Sequence, residues 1–402
     1  MRITRRKLLQ KASVLAGATG LSFTNPSTDN GDKGQELRAT PDSTVDPIEL
    51  LDFEPLARKR ITPDAWEYIS SGAGDELSLR WNRESFDRLR LMPSALVDVS
   101  SIDLRVNLFG RELPHPILLA PTAYHRLVHH EGELGTARGA GAAGAVMVVS
   151  TMATTSIEEI AAESKGPLWF QLYVHPDHSF TRNLVQRAEA AGCKALVVTV
   201  DTPVVGLRYR EMRIKFSLPG GMDRPHLRGL PDVPSGHLPR EKTIYSALFD
   251  AKLSWKDIEW LRSFAKVPVL LKGILNPEDA DRAVRSGVDG IIVSNHGARN
   301  LDTVPATIDV LPMIVERVKR NVPVLPVLID GGIRRGTDVL KALALGADAV
   351  LIGRPYLYGL GVMGSKGVAL VVDILRRELE AAMALTGNTS IKAINRSVIF
   401  RQ

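Results

Sequence analysis

A single cysteine, Cys193, occurs in 402 residues. That excludes an intramolecular disulfide framework and any zinc or iron–sulfur centre built on a cysteine cluster. Aromatic residues are scarce at 5%, and Trp66, Trp255 and Trp260 read as packing residues rather than stacking platforms. The mildly apolar stretch 12–23 falls short of the ~20 apolar residues a spanning helix needs, which argues against an ordinary membrane anchor. Folding must therefore rest on packing and on bound ligand. With 44% hydrophobic and 24% charged residues the chain has the profile of a soluble globular protein. Its length allows one large barrel domain with extensions or two ordinary domains.

A net charge of +6 raises the question of a nucleic-acid or anionic-membrane partner. Most of that excess sits at the start: residues 1–40 hold seven basic side chains against three acidic ones. This segment opens with Arg5-Arg6-Lys7-Leu8-Leu9, passes through the short apolar middle and turns polar and Pro/Gly-containing towards Pro41. A basic start, an apolar middle and a polar tail read as an export signal, and the paired arginines before two leucines resemble a twin-arginine signal. The expectation is a leader over 1–40, a barrel domain over 41–402, and a periplasmic or otherwise extracytoplasmic location. A disordered basic tail is the plainer alternative. In the remainder the basic residues are dispersed without a dense stripe, so no nucleic-acid partner and no stable membrane span are expected.

From about residue 115 one phrase repeats: a short apolar run, a polar residue, a loop, an amphipathic helix. The runs are 117–120, 146–150, 168–173, 195–200, 269–272, 291–294, 324–330 and 349–353. Helical patterns fill the intervals at 131–143, 157–163, 178–191, 255–265, 277–286, 306–320 and 336–345. Apolar runs without alternation imply strands buried on both faces, as in a parallel sheet covered by helices. Eight strand–helix units over ~250 residues predict a (β/α)8 barrel, with an N-terminal helical extension and a long connection after the fourth strand. A doubly wound open sheet is the alternative.

In such a barrel the residues following each strand converge on one mouth, where active sites are built. Here they are Pro121-Thr122-Ala123-Tyr124, Ser150, Gln171 with Tyr173, Thr199 with Asp201, Lys272, Ser294-Asn295-His296, Asp330-Gly331-Gly332 and Gly353-Arg354. The loops after strands seven and eight, Asp330-Gly331-Gly332-Ile333-Arg334 and Gly353-Arg354, combine glycines that let backbone N–H groups approach an anion with arginine forks that match phosphate. His296, with Asp201 from another strand end, suits a general base whose imidazolium a carboxylate stabilises. Arg299 and Arg208 are placed to fix a substrate carboxylate.

Other patterns carry less. Gly139-Ala140-Gly141-Ala142-Ala143-Gly144 matches the dinucleotide fingerprint as a string, but follows a helix and precedes a strand, the reverse of the required order. His125, His129, His130, Glu131 and Glu133 lack a zincin arrangement and read as capping and rim residues.

The segment Ser294-Asn295-His296-Gly297-Ala298-Arg299-Asn300-Leu301-Asp302 resembles the signature of the FMN-dependent α-hydroxy-acid oxidases and dehydrogenases, the glycolate oxidase and lactate oxidase family. The similarity spans about 47–397 and includes Tyr68 within Glu67-Tyr68-Ile69-Ser70-Ser71-Gly72-Ala73, Gln171-Leu172-Tyr173, Thr199-Val200-Asp201-Thr202-Pro203 and Leu271-Lys272-Gly273. The resemblance implies that the phosphate belongs to FMN. By position, the backbone of Pro121, Thr122 and Ala123 would face the flavin ring, and Ser150, Gln171, Thr199, Lys272 and Ser294 would bond its polar edge. Asp330, Gly331, Gly332, Arg334, Gly353 and Arg354 would hold ribityl and phosphate. His296 with Asp201 would take the substrate proton, Lys272 would stabilise negative charge developing on the flavin, Tyr68, Arg208 and Arg299 would grip the carboxylate, and Tyr173 would bond the hydroxyl oxygen. The reaction implied is oxidation of a small (S)-2-hydroxy acid to the 2-oxo acid. The resemblance is compatible with hydride or carbanion chemistry, with oxygen, a quinone or a carrier as electron acceptor, and with a homo-oligomer, a tetramer being common in the family.

Three positions depart from the pattern. Met152 stands where glycolate oxidase has a tryptophan over the substrate, so a larger side chain is admitted there. Tyr124-His125 replaces the common Met-Gln and resembles members acting on aromatic hydroxy acids. Asn300 replaces a glutamine. The connection 203–253 is long for a compact domain, and a lid over the flavin is expected of it. Two other functions compete: a flavin- or phosphate-binding barrel isomerase, and a non-catalytic exported anion-binding barrel.

Overall fold

The computed structural model describes residues 47–230, 244–246 and 248–400. The leader expected over 1–40 and residues 231–243 of the long connection lie outside them. Three helices come first, α1 (Leu50–Arg60), α2 (Pro63–Ser70) and α3 (Leu77–Arg88), followed by an antiparallel hairpin of β1 (Val106–Leu108) and β2 (Arg111–Leu113). The repeating unit then runs β3 (Ile117–Leu119), α4 (Gly132–Ala143), β4 (Met147–Ser150), α5 (Ile157–Glu163), β5 (Leu168–Leu172), α6 (His178–Ala190) and β6 (Leu196–Thr199). It continues through α7 (Tyr209–Arg213), α8 (Trp255–Arg262), β7 (Val269–Ile274), α9 (Pro277–Arg285), β8 (Gly290–Val293), α10 (Thr307–Asn321), β9 (Val327–Asp330), α11 (Gly336–Ala344), β10 (Ala349–Ile352) and α12 (Arg354–Leu385).

Strands β3 to β10 close into one parallel barrel, β10 pairing with both β9 and β3. All eight apolar runs are strands in the expected order. The seventh begins at Val327 rather than 324, because Pro326 has no N–H for the ladder and Val324 stays exposed. Helix starts follow local chemistry: Ser156 and Glu159 form a capping box on α5, and the Asn276 side chain accepts from Glu278 N ahead of Pro277 on α9. Helix α8 stops at Arg262, short of 265, where Ser263 N turns back onto the Glu259 and Trp260 carbonyls.

Two apolar layers result. Inside the barrel, Leu118, Val148, Trp169, Val197, Leu270, Ile292, Leu328 and Leu351 pack together, and Leu108 and Leu113 of the hairpin join them. Phe109 at the hairpin tip meets Trp169 at 5.6 Å, so the hairpin fills the end of the barrel where the strands begin. The opposite end is left to the polar strand tips. The second layer lies between strands and helices and includes α1 and the buried face of α12. Helix α12 is long and apolar enough to cross a membrane by length and composition, but 67% of its most apolar window is buried inside the fold. The hairpin has no counterpart in the strand–helix periodicity; α12, absent from the helical patterns read there, is the helix that follows the eighth strand.

Candidate active site

The barrel's packing plane is capped by an arc of polar tips, one from each of the six successive strands β4 to β9. Ser150 at the end of β4 donates to Gln171 Oε1 on β5 at 3.2 Å, and Gln171 Nε2 donates to Thr199 Oγ1 on β6 at 3.0 Å. Thr199 is paired in register with Lys272 on β7. Lys272 Nζ donates to Ser294 Oγ after β8 at 3.0 Å and lies 3.3 Å from Asp330 Oδ2 on β9. All six side chains are buried. A buried cation survives here because a carboxylate and a hydroxyl face it. The structure thus brings together Ser150, Gln171, Thr199, Lys272, Ser294 and Asp330, the residues expected from the sequence to line a flavin edge.

Above this arc, the His296 loop is fixed in an unusual conformation. His296 and Ala298 both have positive φ, 57° and 60°, a costly arrangement for non-glycine residues that must be held from outside. Asn295 supplies the hold. Its amide exchanges two hydrogen bonds with the Asn82 amide of α3, at 3.0 and 2.9 Å, while its Oδ1 also accepts from Ala298 N. His296 Nδ1 meets Asp201 Oδ1 at 2.8 Å and Nε2 stands 3.5 Å from the Tyr173 hydroxyl. Burial pushes the imidazole below the ordinary histidine value, against the opposing pull of Asp201. Burial works to raise the Asp201 carboxyl, but His296, Lys272 and Thr202 outweigh it and hold the group below the aspartate range. Neutral imidazole beside ionised carboxylate is the state of a base ready to accept a proton.

The residues expected to meet the substrate gather round this pair. Arg299 donates to Tyr68 O at 2.7 Å and Ser71 O at 2.9 Å, and its guanidinium lies 5.1 Å from the Tyr68 ring centre. Arg208 shares the Glu211 carboxylate with Arg299. Tyr68 stacks on Phe216 of the long connection at 4.6 Å, and Phe249 of the same connection meets Tyr173 edge-on at 4.8 Å. Tyr124 places its hydroxyl 3.9 Å from Met152 Sδ, and both residues are buried. Burial raises the Tyr68, Tyr124 and Tyr173 phenols, which keeps all three protonated as donors. The described part of the connection therefore folds down onto the mouth; His226 within it is buried and bonds Ser150 O at 3.2 Å.

The residues expected to hold a phosphate are less uniform. Arg334 makes its one side-chain hydrogen bond among the described residues to Ile333 O, and burial pushes its guanidinium down. Arg354 is pushed down to about 10 by burial and by Arg299, although it donates to Ile69 O, Gly297 O and Ser71 O at 3.0, 2.9 and 2.8 Å. Arg354 is therefore also a clamp between α2 and the His296 loop, a role the sequence did not suggest. Gly331 and Gly332 have φ of 96° and 82°, and a Cβ at Gly332 would fall 2.0 Å from Asn82 O. Packing of α3 alone already demands glycine there. Thr122 spends its hydroxyl on His125 Nε2 at 2.8 Å and on Tyr356, beside Pro121 and Ala123, and a Cβ at Gly353 would meet only ordinary contacts with Thr122 and Ala120.

A flavin mononucleotide fits these donors. Asp330 Oδ1 is buried and without a hydrogen-bond partner among the described residues, an acceptor suited to a ribityl hydroxyl. Two half-buried guanidiniums, Arg334 and Arg354, both pushed down by desolvation, suit a phosphate dianion. Lys272 and the amide and hydroxyls of the arc suit the polar edge of an isoalloxazine.

Three residues escaped the sequence reading. Thr202 donates to Asp201 Oδ1 at 3.0 Å, and Asn300, read there only as a shortened glutamine, donates to Asp201 O, Asp201 Oδ1 and Thr202 Oγ1. Glu211 is wholly buried between two arginines; its spacing of three from Arg208 was the available signal. Glu133, read as structural, accepts from His125 N, Thr154 and Thr155 at the head of α4, and no His/Cys/Asp/Glu group among the described residues could hold a metal.

Comparison with known proteins agrees with this geometry. The family model for FMN-dependent dehydrogenases matches residues 57–401. An L-lactate oxidase of Nostoc sp. is 47% identical over 360 residues, covering 88% of this chain and 98% of that protein. A peroxisomal (S)-2-hydroxyacid oxidase of Arabidopsis thaliana is 46% identical over 87% of this chain and 95% of its own length. Among solved structures, a soluble mutant of the membrane-associated (S)-mandelate dehydrogenase from Pseudomonas putida superposes with a TM-score of 0.82 at 35% identity, covering 89% of this chain and 100% of that one.

Proposed function

This chain belongs to the FMN-dependent dehydrogenase family, and we propose that it oxidises an (S)-2-hydroxy acid to the 2-oxo acid with oxygen as the final electron acceptor. FMN, when bound, supplies the two-electron acceptor and the route onward to oxygen. The observation that carries the reading is the His296–Asp201 pair, 2.8 Å apart, with the free imidazole nitrogen facing Tyr173 at 3.5 Å. In this reading Arg208 and Arg299 orient the carboxylate, Tyr173 donates to the substrate oxygen, and His296 Nε2 takes the proton while Asp201 stabilises the imidazolium. Lys272, buried beside Ser294, would offset negative charge on a bound flavin. Oxygen is favoured by the relatives of 43–47% identity, which are named as oxidases.

In this reading Tyr124 and Met152, in contact at 3.9 Å, present polarisable and aromatic surface to the substrate side chain, which supports a substrate bulkier than glycolate. The purified protein should be yellow and should bleach anaerobically with L-lactate, a longer 2-hydroxy acid or (S)-mandelate. A colourless protein that takes up no FMN would end this reading. Stopped-flow reoxidation by oxygen against a quinone analogue decides the acceptor. Export follows from the 1–40 pattern and is tested by whether a chain with Arg5 and Arg6 changed to Lys is retained inside the cell. A homo-oligomer is part of the same proposal and is read by light scattering.

A further inference from the structure

Helix α7 is only five residues long, yet it carries a glutamate with no solvent exposure. A carboxylate is almost never buried to this degree unless charges and donors face it. At Glu211 three of them converge on one oxygen. Oε1 accepts from Ser71 Oγ at 2.9 Å and from Arg299 Nη2 at 2.9 Å, and Arg208 Nε lies 2.8 Å from it. The second oxygen, Oε2, is buried without a hydrogen-bond partner among the described residues, and the Arg208 Nε contact is an ion pair without hydrogen-bond geometry.

The two arginines differ in how they are held. Arg299 is tied by three acceptors, Tyr68 O, Ser71 O and Glu211 Oε1. Arg208 rests on Glu211 through the charge contact. Burial, and then the Arg299 charge, push the Arg208 guanidinium below its ordinary range, so the pair resists standing side by side. One carboxylate between them reduces the net charge of the trio to a single positive unit. That matches one substrate carboxylate.

We propose that Glu211 is a positioning residue: it holds Arg208 and Arg299 together as a receptor of net charge one and thereby selects monocarboxylate over dicarboxylate ligands. The inference rests on the reading of Arg208 and Arg299 as the substrate-carboxylate site. Removing the Glu211 charge adds one positive unit, which acts about twice as strongly on a dianion as on a monoanion, whereas loosened geometry weakens both alike. Selectivity between the two therefore separates an electrostatic role from a merely structural one.

The test is a titration of the FMN holoenzyme with propionate and with oxalate, read by the perturbation of flavin absorbance. Glu211→Gln is expected to raise the oxalate-to-propionate affinity ratio by about tenfold or more, and Glu211→Asp, which keeps the charge, to leave the ratio near the wild-type value while weakening both ligands. An unchanged ratio in Glu211→Gln overturns the proposal. Ser71→Ala keeps every charge and removes one bond to Oε1, so it serves if Glu211→Gln does not fold. With no charge altered it should leave the oxalate-to-propionate ratio at the wild-type value even where both ligands weaken, and a changed ratio overturns the proposal. A wild-type protein that retains no FMN, or shows no response to propionate, would instead sink the underlying functional reading.

Discussion

His296 and Asp201, 95 positions apart in the chain, meet at 2.8 Å between Nδ1 and Oδ1. The contact assigns the imidazole proton to Nδ1 and leaves the Nε2 lone pair on the side of Tyr173. Because burial holds His296 below the ordinary histidine value, the base is already deprotonated at neutral pH. kcat/KM should rise with pH through an apparent pKa below ~6.5 and then level off. A pH profile with L-lactate checks this, and an acid limb centred above ~6.5 contradicts it.

Replacing His296 by Ala should cost ~10²–10⁴-fold in kcat while FMN stays bound, since general-base catalysis contributes on that scale. Asp201→Asn removes the stabilisation of imidazolium. Its acid limb should move to lower pH and its plateau rate fall by about tenfold or more, one pKa unit being worth ~1.4 kcal/mol.

In the proposed reading Met152, 3.9 Å from the Tyr124 hydroxyl, faces the substrate side chain. Met152→Trp should shift kcat/KM towards glycolate relative to a longer aliphatic 2-hydroxy acid by ~10-fold or more, because steric fit of one or two carbons is worth ~1–3 kcal/mol. Equal losses on both substrates would place Met152 away from the substrate side chain.

Gly332 has a φ of 82° and packs against Asn82 O. Gly332→Ala should destabilise the fold by ~2 kcal/mol or more through backbone strain and overpacking. Thermal melting of the FMN-free protein isolates this from any effect on the cofactor.

Stripping FMN should lower Tm, because a ligand at one hundred times its Kd stabilises the native state by ~2.7 kcal/mol. Arg334→Ala, which removes a half-buried guanidinium with one side-chain hydrogen bond among the described residues, should weaken FMN binding by at least tenfold, on the order of the 1.5–3 kcal/mol of a charge-assisted hydrogen bond. Riboflavin affinity should change little in the same variant, and equal losses for both ligands would remove Arg334 from the phosphate site.

The sequence by itself determined the eight strands, their order and the polar residue at each strand tip, because the two-faced burial of a parallel strand and the turn chemistry after it are written in consecutive residues. Barrel geometry then directs those tips to one mouth, so Ser150, Gln171, Thr199, Lys272, Ser294 and Asp330 were legible before any coordinate. Tertiary structure alone decided what no local period encodes. The hairpin at Phe109 fills one barrel end, and the Asn82–Asn295 amide pair, 213 positions apart, holds the positive-φ turn of His296. Arg354 clamps α2 to the His296 loop, and Glu211 becomes the shared counter-charge of Arg208 and Arg299. These contacts join segments remote in sequence, and their chemistry follows from which side chains packing buries together. A lone glutamate three residues after an arginine reads as a surface ion pair until the fold takes the water away.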